Sequence, residues 1–211
     1  MNLIRLATLF LSSAIAALSS GCNVIGFAAA TVGGMSNTPP MYVLQKVPTV
    51  VVAENYRDPA MSVRDDEPLA RYVTDFLKQG DVVPTIDSSE VYVIRHHGSL
   101  RPSDEKWRGM SIAALGRSVT AHQIIYLNIS NVEIENSPGS DALRGHGEVL
   151  VRVIDAESGA TIWPADAADG YFVSADTRMY HRGETEGDIR SELHKALADK
   201  IVKLFTGYRT D

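Results

Sequence analysis

Two segments within residues 121–155 alternate hydrophobic and polar residues with the period of a β-strand. The parity of the hydrophobic positions changes by one near Ser130–Asn131, which predicts a β-bulge. Residues 137–145 separate the segments and are rich in Gly, Ser, Pro and Asp, as in a turn. The pattern therefore predicts two long antiparallel strands at the centre of the domain. The positions that define the shift are Leu127 and Ile129 before it, and Val132 and Ile134 after it.

A helical period marks the segment that ends at Gly80. Acidic residues from Asp65 and a proline at Pro68 are typical of a first turn, so we expect this helix to begin there. A glycine directly after the hydrophobic stripe commonly ends a helix. The stripe consists of Leu69, Tyr72, Val73, Phe76 and Leu77.

Two further segments have the same helical period. Residues 110–121 are predicted to be a helix capped by Ser111, and residues 186–205 a long C-terminal helix before Gly207. Residues 88–97 carry conflicting signals, because the VYVI core favours a strand whereas the preceding Asp-Ser and following Glu favour a helix start. We interpret them as a helix, with a strand as the alternative.

The remaining strand-like segments are short. Thr49–Ala53 is a β-branched run suited to a strand buried on both faces. Residues 82–86 contain Pro84, which favours a short edge strand. Residues 161–163 and 170–175 complete the order β-α-β-α-α-β-β-β-α. This order predicts an α/β (α+β) fold with a single mixed sheet, crossover helices, then an antiparallel meander closed by the C-terminal helix.

The first residues have the features of an export signal, with Arg5, an apolar core and a small-residue end. The sequence LSSGC resembles a bacterial lipobox, although Leu18 lies four positions before Cys22 rather than the usual three. The resemblance implies that Cys22 carries acyl chains (palmitate among them), and Asn23 after it implies the outer membrane. The alternative is an ordinary secretory signal with an incidental thiol. We therefore expect a signal peptide at 1–21, a lipidated cysteine and flexible tether at 22–45, and one globular domain at 46–211.

The net charge, the cysteine count and the motifs limit the kinds of site that the chain can carry. A net charge of −6 argues against a general nucleic-acid binder, and a single cysteine excludes an internal disulfide and a multi-cysteine metal site. The six histidines show no ligand-like spacing, so we predict neither a metal nor a cofactor. No catalytic motif is present; Gly145-His146-Gly147 is interpreted as a hairpin boundary, not as part of a nucleotide-binding loop.

Three aromatic residues form a candidate binding patch. Trp163 precedes Pro164, and Tyr171 and Phe172 follow nearby, as in surfaces that bind peptides or glycans. The alternative is that these residues belong to the core at a strand end. Glu133, Glu135 and Glu148 could also cluster across the hairpin, which is typical of a solvated sheet face.

As a set, the lipobox and the motifs PTVVVAENY, ALGRSVTAHQIIYLNI and VRVIDAESGATIWP resemble bacterial envelope lipoproteins related to the curli-secretion lipoprotein and the penicillin-binding-protein activator lipoprotein. The resemblance covers roughly residues 48–205. It implies an adaptor or assembly subunit and transfers no catalytic residue.

The resulting expectation is a non-enzymatic, membrane-anchored lipoprotein of the periplasm that binds another envelope protein or itself. One alternative is an oligomeric outer-membrane pore or export component, which requires membrane-inserting strands. The other is an envelope hydrolase, which requires converging His and acidic side chains in a cleft.

Overall fold

The secondary structure follows the predicted order closely. A computed structural model of the protein describes residues 36–55, 59–97, 111–136, 142–180 and 184–210; Cys22 and the segment 1–35 lie outside these ranges. The strands are β1 (Ser36–Thr38), β2 (Thr49–Glu54), β3 (Gln123–Asn136), β4 (Leu143–Asp155), β5 (Thr161–Trp163), β6 (Tyr171–Asp176) and β7 (Tyr208–Thr210). The helices are α1 (Pro59–Gln79), α2 (Ser88–His97), α3 (Ile112–Ser118) and α4 (Glu186–Thr206).

The described chain falls into two units: residues 40–208 form one, and β1 with residues 209–210 belongs to the other. β1 pairs with β7 in a two-stranded sheet. The five-stranded sheet and the four described helices belong to residues 40–208. None of the helices in the described ranges is both long and apolar enough to cross a bilayer.

The five-stranded sheet is mixed, as predicted. β2 is parallel to β3, whereas β3 and β4 are antiparallel from the pair Gln123–Asp155 to the pair Asn136–Leu143. The register shifts between Ile129 and Asn131, which confirms the predicted bulge and makes Ser130 the extra residue. β5 and β6 both pair with the other edge of β4, β5 near its end and β6 along residues 146–151. β6 therefore pairs with β4 and not with β5.

The two faces of the sheet bury separate cores. On one face, α1 and α4 cover the centre of β3 and β4, including Leu127, Ile129 and Val151. On the other face, α2 and α3 cover β2 and the start of β3. Two of the described helices have side-chain N-caps. Ser111 Oγ accepts from Ala114 N–H at the start of α3, and Thr185 forms a capping box with Asp188 at the start of α4.

The predicted start of α1 was wrong. The helix begins at Pro59, so Pro68 lies inside it and Asp65 is not a cap. A proline at the first helical position needs no N–H partner, which makes Pro59 a suitable start. The acidic residues before Pro68 matched a first turn, but Asp65 is instead fully buried in the helix interior.

Other differences are local. The strand predicted at 82–86 is reduced to a single bridge between Thr49 and Thr85, because Pro84 offers only its carbonyl, which accepts from Thr49 N–H. Residues 88–97 form a helix, as interpreted. The helix predicted at 110–121 spans only 112–118; Thr120 has φ 59°, and Met110 lies outside the described residues.

The glycines interpreted as a hairpin boundary lie inside β4. A Cβ on Gly147 would lie 2.9 Å from Leu197 Cδ1 and 3.3 Å from Leu193 Cδ2. Gly145 is crowded in the same way by Ile189. These glycines therefore allow α4 to approach β4 closely, which is a packing requirement rather than a turn requirement.

A buried ion pair joins α1 to α4. Asp65 Oδ1 accepts hydrogen bonds from Arg190 Nη1 at 2.8 Å and from His194 Nε2 at 3.0 Å, and all three side chains are buried. Arg190 Nη2 also donates to Glu186 Oε1 at 2.9 Å. Burial raises the pKa of the Asp65 carboxyl, but the hydrogen bonds and charges of His194 and Arg190 outweigh burial and hold that pKa below its usual value.

Replacing Asp65 by alanine should lower the free energy of unfolding by about 3–5 kcal/mol, because Arg190 would stay buried without its main partner. Asp199→Ala breaks only the exposed pair with Lys203 on α4 and is the matched control. It should change the free energy of unfolding by about 0.5 kcal/mol or less. Urea unfolding measures the free energy of both variants. Equal effects of the two changes would contradict the role assigned to Asp65.

The same pair predicts a pH dependence. The folded-state pKa of Asp65 is lowered, so its contribution is fully present above the ordinary pKa of about 3.9 and is lost as pH falls through the folded value. The difference in unfolding free energy between the wild type and Asp65→Ala should therefore shrink in acid.

Candidate binding surface

The strand alternation separates the three aromatic residues of the predicted patch. Trp163 and Tyr171 turn towards the α1–α4 side of the sheet, where their rings stack with centroids 5.4 Å apart. Trp163 also contacts Tyr42 at 5.8 Å and Phe205 at 5.9 Å between centroids. Phe172 follows Tyr171 in β6 and turns to the opposite face, where its side chain is 53% exposed. The structure thus brings two of the residues together and places the third elsewhere.

Phe172 belongs to an uncovered part of the second sheet face, which we call the open face. It consists of the outward side chains of β6 and of β4 as far as Arg152; in the described parts of the chain, the core under α2 and α3 reaches β4 only at Ile154. Its members are half-buried or exposed: Arg144, His146, Glu148, Leu150, Arg152, Phe172, Ser174 and Asp176.

The centre of the open face is apolar. Leu150 and Phe172 are direct cross-strand partners, so their side chains lie side by side. Gly170 lies beside them with φ 115°, and a Cβ there would lie 3.0 Å from Val151 O and 3.3 Å from Leu150 Cβ. Only glycine fits this close approach, and it leaves the area beside Leu150 without a covering side chain.

One end of the open face carries Arg152. Its guanidinium lies over the Tyr126 ring, 4.8 Å from the centroid, and Tyr126 Oη donates to Glu54 Oε2 at 2.6 Å. Arg152 is half-buried, and its Nε is buried without a hydrogen-bond partner among the described residues. No carboxylate in these ranges forms an ion pair with it, in contrast to Arg144, which binds Asp176.

At the other end of the open face, the charged side chains pair with one another. His146 Nδ1 lies 2.9 Å from Asp176 Oδ1, His146 Nε2 lies 3.4 Å from Glu148 Oε1, and Arg144 pairs with Asp176 at 3.2 Å. The hydrogen bond with Asp176 is the main cause that raises the pKa of His146, and the same bond lowers the pKa of Asp176. Among the predicted glutamates, Glu148 joins this cluster, and Glu133 lies opposite His146 across the β3–β4 ladder.

Two further features of the described residues bear on possible chemistry. Asp65 and His194 form an Asp–His pair between α1 and α4, with His194 only 2% exposed. Across the described ranges, no group of three or more His, Cys, Asp or Glu residues could hold a metal ion. A pocket of about 30 Å³ beside Ala53, Asp66, Ser88 and Tyr92 suits water rather than a metabolite.

Sequence reasoning did not single out Arg152 or Leu150. Their outward parity in β4 was visible from the alternation, but the sequence did not show that α2 and α3 leave this part of the face uncovered. The Asp65–Arg190–His194 cluster was also missed, since Asp65 lies more than 120 residues from Arg190 and His194 along the chain and no local pattern links them.

The division of the aromatic residues predicts different effects of their removal. Trp163→Ala should lower the free energy of unfolding by about 3 kcal/mol, because it removes a ring packed among three others. Phe172→Ala should change it by about 0.5 kcal/mol or less, since the side chain is half exposed. Urea unfolding measures the free energy of unfolding of both variants. A large decrease in Phe172→Ala would show that this ring is part of the core.

No protein-family profile matches the chain, and no curated protein does either. Solved structures to which the chain is similar include a PelC dodecamer from Paraburkholderia phytofirmans, with 13% identity, 83% of this chain and 97% of that chain covered, and a TM-score of 0.44. Lipoprotein GNA1162 from Neisseria meningitidis has 11% identity, coverage of 74% and 99%, and a TM-score of 0.43.

The C-terminal domain of LpoB from Salmonella enterica is similar over 64% of this chain and 85% of that chain, with 11% identity and a TM-score of 0.37. All three TM-scores are below 0.5, so no statement about family or function rests on these similarities.

Proposed function

We propose that the protein is a non-catalytic, lipid-anchored envelope adaptor that binds another envelope protein through the open face. The observation that carries the proposal is the open face itself, where a half-exposed Phe172 lies near an Arg152 without an acid partner. Aromatic residues and arginine are the types enriched at protein–protein interfaces. The face lies on two paired strands of the sheet, which suits a surface that docks without rearranging.

The anchor is proposed from the N-terminal sequence. Cleavage before Cys22 and acylation of its thiol would leave the chain attached to a membrane by its lipid, with residues 22–45 as a tether. Several acyl chains hold a protein durably, because each buried CH₂ contributes about 0.8 kcal/mol. Asn23 supports an outer-membrane location facing the periplasm.

The main competing function is an oligomeric export component that assembles from copies of this chain. Strand addition at the free edge of β6 is one route to such an assembly. Lys200 Nζ, however, donates to Ser174 O at 2.7 Å and so occupies a carbonyl on that edge. A lysine on an edge strand is a common protection against pairing, which favours the open face over the edge as the docking surface.

One purification tests the anchor and the adaptor role together. The wild-type protein and Cys22→Ala are isolated from the cells that produce them naturally, and each is followed through membrane fractionation and intact-mass measurement. The wild type should require detergent and carry acyl chains, whereas Cys22→Ala should leave the membrane fraction. Retention of processed Cys22→Ala on membranes would contradict the anchor.

Light scattering on the detergent-purified wild type addresses the adaptor. The proposal predicts the mass of one chain together with one co-purifying envelope protein. A uniform large ring of this chain alone would contradict the proposal and favour the oligomeric export component.

A further inference from the structure

We infer that the open face recognises a protein segment that presents a carboxylate next to an apolar or aromatic side chain. Arg152 binds the carboxylate, and Leu150 with Phe172 receives the apolar side chain. The inference rests on the proposed adaptor function and names the chemistry of its partner.

Arg152 is prepared for a carboxylate. Its guanidinium is fixed over the Tyr126 ring, and Tyr126 is itself held by the hydrogen bond to the buried Glu54. Guanidinium groups present donors in a planar fork that matches a carboxylate. A half-buried charge that lacks an acid partner is costly, and an arriving carboxylate removes that cost.

Three other arginines of the same unit each have an acid partner. Arg144 binds Asp176 at 3.2 Å, Arg178 binds Glu184 at 2.7 Å, and Arg190 binds Asp65 at 2.8 Å. The acids at the far end of the open face are engaged with Arg144 and His146, so they compete little for Arg152. Arg152 is therefore the positive group on this face that is available to an incoming acid.

The apolar part of the site has a defined spacing from Arg152. Leu150 and Arg152 lie two residues apart on the same face of β4, which places their positions about 7 Å apart along the strand. Phe172 extends the apolar area onto β6. An extended segment matches this spacing when its acidic and apolar side chains are two residues apart. A chain terminus that places its carboxylate at a similar distance is equivalent.

Photo-crosslinking in the intact envelope tests the inference with the full lipidated chain. The probe is p-benzoylphenylalanine in place of Ser174, which lies on the same face of β6 as Phe172 but outside the pair with Leu150. We expect one partner protein to be crosslinked, at a peptide that carries an Asp, a Glu or a terminal carboxylate within a few residues of an apolar side chain.

The arginine variants make the test specific. Arg152→Gln should lower the crosslink yield about tenfold or more, because the charged hydrogen bonds to the carboxylate are lost, and Arg152→Lys should lower it less. Arg144→Gln on the same strand and face is the matched control and should change the yield by less than about twofold, since Arg144 already has Asp176. Circular dichroism melting of each variant verifies that the fold is intact.

Several outcomes would overturn the inference. They are an unchanged yield in Arg152→Gln, a crosslinked peptide without a carboxylate, a crosslink to a second copy of this chain, or no crosslink from Ser174. If another envelope protein still co-purifies with the wild type, the adaptor function stands. A missing crosslink then removes the open face as its docking surface, and the other outcomes remove the recognition of a partner carboxylate. If no partner co-purifies either, the proposed function fails as well.

Discussion

The alternation of side chains along β3 and β4 is the constraint on which the rest of the structure depends. Because the bulge at Ser130 adds one residue, Ile129 before it and Val132 after it both reach the α1–α4 core. Without this extra residue, the hydrophobic side chains in the second half of β3 would lie on the opposite face of the sheet. The same alternation sends Leu150, Arg152 and Phe172 to the opposite face, so the core and the open face are two results of one register.

The packing of the helices then determines how much of each sheet face is covered. α4 packs closely on β4 because Gly145 and Gly147 leave room for its leucines, and the buried Asp65 ion pair fixes α1 beside it. This side of the sheet is a closed core. On the other side, α3 lies close to β3, where a Cβ on Gly116 would be 2.5 Å from Ile124 Cδ1. Among the described residues, the core under α2 and α3 reaches β4 only at Ile154, and the rest of β4 together with β6 provides the candidate surface.

Much of this architecture is visible in the sequence, because periodicity depends on neighbouring residues. The two central strands, the bulge, the C-terminal helix and the mixed sheet were all predicted from local patterns. The start of α1 was not, since the acidic residues before Pro68 fit a helix start as well as a helix interior. The separation of Tyr171 from Phe172 follows from adjacent positions in a strand, but the ring stack on Trp163 depends on a fold that brings Tyr42 and Phe205 to it. Arg152 is a candidate binding residue because no acidic side chain among the described residues pairs with it. No local sequence pattern encodes such an absence.

The central claim is that the open face is covered by a partner in the cell envelope. Its most direct test is radical footprinting of the protein in its native membranes and after purification without a partner, with labelling of Phe172 as the readout. Met179, which is 51% exposed in β6's neighbouring loop, serves as the internal reference. The account predicts strong labelling of Phe172 in the isolated protein and clear protection in membranes, with Met179 labelled in both. Equal labelling of Phe172 in the two states would contradict it.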